Sequence, residues 1–252
     1  MRVKTAGLTA LVTVPVLLLA TACTSGDDGG PAKDRDTPAS TGADTGKGGG
    51  GGGGSDASAP LNRQQLERAA LATGDLDGFQ VSSGKSALAP SGQPAADKSQ
   101  CQPLADAMGD RPSPQATHTV NRGLGSLKNL GLAVSASLSS YSEADAGKLM
   151  DGLKSAVAAC AGGFGATLEG RSGAYREVKA AAFTTRGADE TISWTTVGTN
   201  EGAVAPIHLV VVRKGATVAR FMALDLARRT PPRVPQEVAD KQLAKVVQVL
   251  AG

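Results

Sequence analysis

Histidine chemistry in this chain rests on two residues, His118 and His208, because the 252-residue sequence contains no others. His118 falls in Ala116-Thr117-His118-Thr119-Val120, flanked by hydroxyls, and His208 interrupts an apolar run over residues 207–212. An envelope hydrolase would pair one of them with a nearby serine and aspartate. The G-x-S-x-G elbow that presents such a serine is missing, and Gly170-Arg171-Ser172-Gly173 has the wrong spacing. Both histidines therefore read as surface or satisfied core residues, with no catalytic residue assigned. Gly84-Lys85-Ser86 echoes the end of a phosphate-binding loop, but Phe79 stands where its first glycine is required. Two distant histidines make no metal cluster, and no cofactor motif is present.

Charge narrows the partners. Residues 61–252 carry 21 Lys and Arg against 17 Asp and Glu, interspersed along the chain, with a single tryptophan, Trp194. A nucleic-acid surface would need a basic stripe and stacking aromatics, so that partner class is set aside. Arg228, Arg229 and Arg233 form the only local cationic cluster. It reads as a solvated loop beside a helix, with contact to anionic head groups or wall polymers as the alternative.

The N-terminus carries an address. Arg2 and Lys4 precede an uncharged run over residues 8–20 that contains Pro15. A permanent span needs roughly 20 apolar residues, so this pattern predicts a signal peptide over residues 1–22. It ends in Leu19-Ala20-Thr21-Ala22-Cys23. This resembles a bacterial lipobox, which implies lipidation of Cys23, although leucine stands one residue further back than usual. Ala20-Thr21-Ala22 also fits ordinary A-x-A cleavage, which would release the protein. Cysteine arithmetic favours the lipid. Of Cys23, Cys101 and Cys160, two can pair in an oxidising compartment, and a lipid uses the third. Cys101 and Cys160 are predicted to be the bridged pair. Residues 24–60 contain no Leu, Ile, Val or aromatic and have seven consecutive glycines at 48–54. That composition predicts a disordered tether with a reach of about 30–35 Å.

The remaining residues, 61–252, must position anything functional. Asn62 and Gln65 make a capping box, with Leu61 and Leu66 as its staple, predicting a helix that stops near Thr73-Gly74. Cys101 to Met108 predicts a short helix with Pro103 in its first turn. Leu130, Leu132, Val134, Ala136 and Leu138 alternate with glycine, alanine and serines, predicting a strand with one buried face and one small polar face. Ser142 caps a long helix carrying Ala146, Leu149, Met150, Leu153, Val157 and Cys160 on one side, ended by Gly162-Gly163. Strands follow at 175–183, 191–197, 206–213 and 217–226, the last two joined by Lys214-Gly215-Ala216. Trp194, with Ile192 and Thr196, should face the core. A terminal helix sets Val238, Leu243, Val246, Val247 and Leu250 on one face. This order predicts one α+β domain, an antiparallel sheet with packed helices.

The sequence of features also resembles a known domain. Asp75-Leu76-Asp77-Gly78-Phe79, Cys101-Gln102-Pro103-Leu104, Tyr141-Ser142, the helix ending at Cys160 and Val211-Val212-Arg213-Lys214-Gly215 carry the likeness. It is to the extracytoplasmic sensor-like domain of actinobacterial serine/threonine kinases and related small lipoproteins, across residues 61–251. The resemblance implies an α+β domain with a ligand-binding cleft and no catalytic activity. It departs from the kinase form in lacking a kinase domain and in having one candidate disulfide where those sensors have two. No ligand-contacting residue is carried over. The expectation is a membrane-anchored lipoprotein on the extracytoplasmic face, binding a small ligand or another envelope protein.

Overall fold

The computed structural model describes residues 59–84, 88–89, 91–110, 116–227 and 231–252. The signal peptide, Cys23, nearly all of the tether, Lys85, Ser86, Arg228 and Arg229 lie outside the described residues.

Local signals start the helices. Asn62 Oδ1 accepts the Gln65 N–H and Gln65 Oε1 accepts the Asn62 N–H, opening α1 (Arg63–Ala69). The helix ends at Ala70, before the predicted Thr73-Gly74, and Gly74 takes its positive φ in the turn beyond. A 3-10 turn at Ser99–Cys101 leads into α2 (Gln102–Met108). Ser142 Oγ accepts the Asp145 N–H to begin α3 (Glu143–Ala159), and α4 (Gln236–Ala251) closes the chain. After α3 the backbone reverses at Gly163, where φ is 89° and a Cβ would stand 2.5 Å from the Tyr175 carbonyl oxygen. Only glycine fits there.

Among the described residues nine strands form one antiparallel sheet. They are β1 (Phe79–Ser83), β2 (Ala95–Ala96), β3 (His118–Ser126), β4 (Leu132–Ser140), β5 (Phe164–Leu168), β6 (Arg171–Ala180), β7 (Glu190–Asn200), β8 (Ala203–Lys214) and β9 (Thr217–Asp225). Their spatial order is β1-β3-β4-β9-β8-β7-β6-β5-β2. Lys214 pairs with Thr217 across the two-residue β8–β9 turn, and Asp189 anchors it by accepting the Gly215 N–H at 2.7 Å.

Both faces of the sheet are covered at its central strands, β8 and β9. Leu209, Val211, Val218 and Met222 pack beneath α2 and α3, whereas Val210, Val212, Phe221 and Ala223 pack against α1 and α4. A strand buried on both faces needs no polar alternation, which explains the apolar run around His208. The same burial revises β4. Its serine face was expected to be the polar, outward one, yet Ser135, Ser137 and Ser139 are all buried. Leu130, expected in the core, precedes the strand and is 69% exposed, and Val247 also turns outward. Trp194 is fully buried as expected. The strand predicted at 175–183 runs instead over Arg171–Ala180, because it pairs with β5, a strand the sequence did not announce.

Candidate functional site

The disulfide sets the frame of the site. Cys101, at the start of α2, is bonded to Cys160, at the end of α3, with Cα atoms 5.9 Å apart. Tying these two ends together holds two helices over one face of the sheet. Gly152 of α3 faces Pro103 of α2, and a Cβ on it would sit 3.8 Å from the proline ring. Between the helices and the sheet lies a cleft of about 300 Å³. Leu149 and Leu153 line it from α3, Val211 and Val218 from β8 and β9. Its size lies at the small end of ligand pockets, and apolar walls with few polar groups are their usual make-up.

Two polar side chains distinguish the cleft from a packing gap. Arg220, on β9, is 6% exposed. Its Nη1 donates to the carbonyls of Ala107 at 2.8 Å and Gly109 at 2.7 Å, and its Nη2 donates to Ser137 Oγ at 2.9 Å. It thus caps the C-terminal end of α2 and reaches the buried serine face of β4. Burial lowers the guanidinium to about 10, still charged at neutral pH. Tyr141, just after β4, is 1% exposed and its hydroxyl has no hydrogen-bond partner. Burial, with the Asp106 carboxylate adding to it, pushes that phenol up to about 12, against the pull of Arg220 and of the Ser139 hydroxyl, which is close by but outside hydrogen-bonding geometry. The neighbouring Ser139 hydroxyl lies 3.0 Å from that of Thr119. Neither Arg220 nor Tyr141 was singled out as a site residue from the sequence. A signal existed: Arg220 is a lone cation inside the otherwise apolar run of residues 218–224.

The histidines do not meet. His118 lies on β3 opposite Ser140, and His208 on β8, with β4 and β9 between those strands. In register His118 is level with Lys214 of β8, six residues along the strand from His208, so three strand spacings and that offset separate the histidines by about 25 Å. His208 does approach a serine: its Nε2 lies 2.8 Å from Ser193 Oγ. However, its Nδ1 accepts the Val234 N–H at 2.9 Å. A neutral imidazole with Nδ1 accepting carries its proton on Nε2, so His208 donates to Ser193 and cannot deprotonate it. The residue is 1% exposed, on the α4 side of the sheet, among Phe183 and Val234. It is a satisfied core histidine. Burial, assisted by Arg233, lowers it to about 4. Among the described residues no three His, Cys, Asp or Glu side chains gather as a metal site. No helix of the described residues is long and apolar enough to cross a membrane.

No protein-family model matches the chain, and no curated protein matches it. Among solved structures it is similar to the extracellular domain of PknH from Mycobacterium tuberculosis, with TM-score 0.52 and 12% identity, covering 77% of this chain and 100% of that one. A putative uncharacterized protein from Mycobacterium smegmatis aligns at TM-score 0.37 and 14% identity, over 70% of this chain and 91% of that one. At such identity the first likeness is one of fold: the described domain has the architecture of that extracellular domain.

Proposed function

We propose that this chain is an extracytoplasmic lipoprotein, anchored through a lipid on Cys23, whose domain binds a small ligand without catalysis. The binding site is the cleft between α2, α3 and the sheet. One observation carries this: an apolar-walled cleft lined by a buried tyrosine whose hydroxyl has no partner. An unsatisfied buried hydroxyl costs about 1–3 kcal/mol, and a ligand acceptor would remove that cost. The location rests on the N-terminal pattern, the odd cysteine and the fold shared with a domain described as extracellular. A second reading, docking on another envelope protein, is favoured by Leu127, Leu130 and Leu226. All three are exposed at one end of the sheet, where the Leu226 N–H meets the Gly131 carbonyl.

The cleft is tested with a neutral solvatochromic dye, N-phenylnaphthylamine. The full-length protein is expected to enhance its emission, and Gly152→Trp, which fills the space beside Pro103, to abolish the effect. Unchanged enhancement in a folded Gly152→Trp protein would place binding elsewhere. The anchor is tested by intact mass: diacylglycerol on a mature N-terminal Cys23 is expected. An unmodified chain of residues 23–252 in the culture medium would exclude it.

A further inference from the structure

We infer that the cleft selects a small amphiphilic carboxylate, whose anionic head is held by Arg220 and Tyr141 and whose hydrocarbon body lies against Leu149, Leu153, Val211 and Val218. This rests on the cleft being the binding site, and it adds the ligand's chemical class.

Arg220 lacks an ion-pair partner: it is a buried cation, and among the described residues no carboxylate lies within 4.0 Å of its guanidinium nitrogens. Buried charges are normally paired, because desolvating them alone is costly. Its contacts to the Ala107 and Gly109 carbonyls use the negative end of α2, equivalent to about half a charge at most. That is a structural role, and it leaves the guanidinium short of neutralisation. Three carboxylates stand near without pairing with Arg220: Asp106 and Asp145 line the cleft, and Asp110 exerts a Coulombic pull on the guanidinium from beyond ion-pair distance. Asp106 Oδ1 accepts the side-chain amides of Gln93 and Gln102, Asp110 Oδ1 accepts the Gly92 N–H, and Asp145 serves Ser142 and Lys148. Lys148, at the cleft's edge, is paired with Asp145 at 3.4 Å, so Arg220 is the lining cation without an ion-pair partner.

The partnerless hydroxyl of Tyr141 is a donor awaiting an acceptor beside that cation. A carboxylate is an acceptor-only group with two oxygens, so it can take the phenolic proton donor on one and face the guanidinium with the other. An alcohol or amide meets the hydroxyl but not the charge. A cation meets neither. Size bounds the rest of the ligand. A dry cavity of about 150 Å³ holds benzene, so 300 Å³ encloses on the order of a dozen non-hydrogen atoms. A medium-chain carboxylate such as decanoate has that size, whereas a larger molecule such as N-phenylnaphthylamine would protrude through the open mouth of the cleft.

The test is displacement of bound N-phenylnaphthylamine from the full-length protein by decanoate and by decan-1-ol, which share one tail. Decanoate is expected to bind at least tenfold more tightly. Tyr141→Phe, which keeps the ring and removes only the oxygen, is expected to weaken decanoate about tenfold and leave decan-1-ol unchanged. Arg220→Gln should equalise the two ligands; because it also uncaps α2, Tyr141→Phe decides the matter if that variant does not fold. Equal or tighter binding of the alcohol, or full decanoate affinity in Tyr141→Phe, would overturn the carboxylate while leaving the cleft as the site. If the dye itself ignores Gly152→Trp, the cleft reading fails first, and this inference with it.

Discussion

Acidification between pH 7 and 5 is expected to destabilise the fold mainly through one residue, His208. Its folded-state value is lowered by burial, and secondarily by Arg233, to about 4, against an ordinary 6.5. In that interval the unfolded chain takes up a proton that the folded chain refuses, so stability falls as pH falls. The linkage relation gives a loss of about 2 kcal/mol between pH 7 and 5, and about 3 kcal/mol if the interval extends below pH 4. The structural cause is specific: Nδ1 is occupied by the Val234 N–H, so protonation must break that bond as well as charge a buried ring. Carboxylates act in a lower window. Burial raises Asp75 and Asp189, but Lys245 with the Ala72 N–H, and the Gly215 N–H with Lys214, outweigh it. Ser142 lowers Asp145 and Lys179 lowers Glu177. Depressed carboxylates contribute stability that is lost only as pH drops below their unfolded values near 4. Urea unfolding at pH 7 and 5 measures the loss, with His208→Gln as the comparison, in which most of it should vanish. Proton NMR of the His208 ring should show no titration down to pH 5. A ring titrating near 6.5, or an undiminished loss in His208→Gln, would refute the assignment.

Three further outcomes are expected. Reducing or removing Cys101–Cys160, which closes a loop of 59 residues, should cost about 4 kcal/mol in urea unfolding, and dye binding should weaken because α2 and α3 lose their tie. Gly147→Ala, inside α3 with open space where the Cβ would go, should stabilise by about 0.5–1 kcal/mol without touching the cleft. Gln242→Leu should cost about 2–4 kcal/mol by the same assay, since its side chain accepts the Leu71 N–H and donates to the Ala69 carbonyl, both deep in the α1–α4 contact.

What could be read beforehand followed from how local each signal is. The caps at Asn62 and Ser142 act over three residues, so the helix starts were legible. The β8–β9 turn was legible for the same reason. Cys101 and Cys160 were legible because only two cysteines remain once Cys23 is set aside. By contrast, β1 and β5 have short, mixed sequences whose strand character comes from pairing with β3 and β6. The serines of β4 looked outward-facing because alternation reports polarity, whereas their burial depends on Arg220, 83 residues away from Ser137. The cleft is harder still, since α2, α3, β8 and β9 contribute to it from four separate stretches of chain.

The buried polar residues differ in whether the fold satisfies them and in whether they line the cleft, and the two criteria together single out Tyr141. Gln242 fastens α1 to α4, and Arg122 holds the Leu71 carbonyl at 2.9 Å and Glu67 at 2.6 Å. His208 joins β8 to Ser193 on one side and to Val234 on the other. Each of these has partners enough to account for its presence, and none lines the cleft beneath α2 and α3. Arg220 and Tyr141 do line it, one without an ion-pair partner and one without an acceptor, whereas the other side chains with a buried partnerless atom among the described residues, Ser140, Thr185, Trp194 and Arg213, lie outside its lining. A fold that needed Arg220 only as a cap for α2 would gain nothing from an unpartnered phenol beside it. Tyr141→Phe in the ligand-free protein therefore weighs the two accounts: a rise in stability of about 1 kcal/mol marks the hydroxyl as a cost that folding alone does not recover. A fall of similar size would mean that the hydroxyl has a partner in the folded state, and would return Tyr141 to the architectural group.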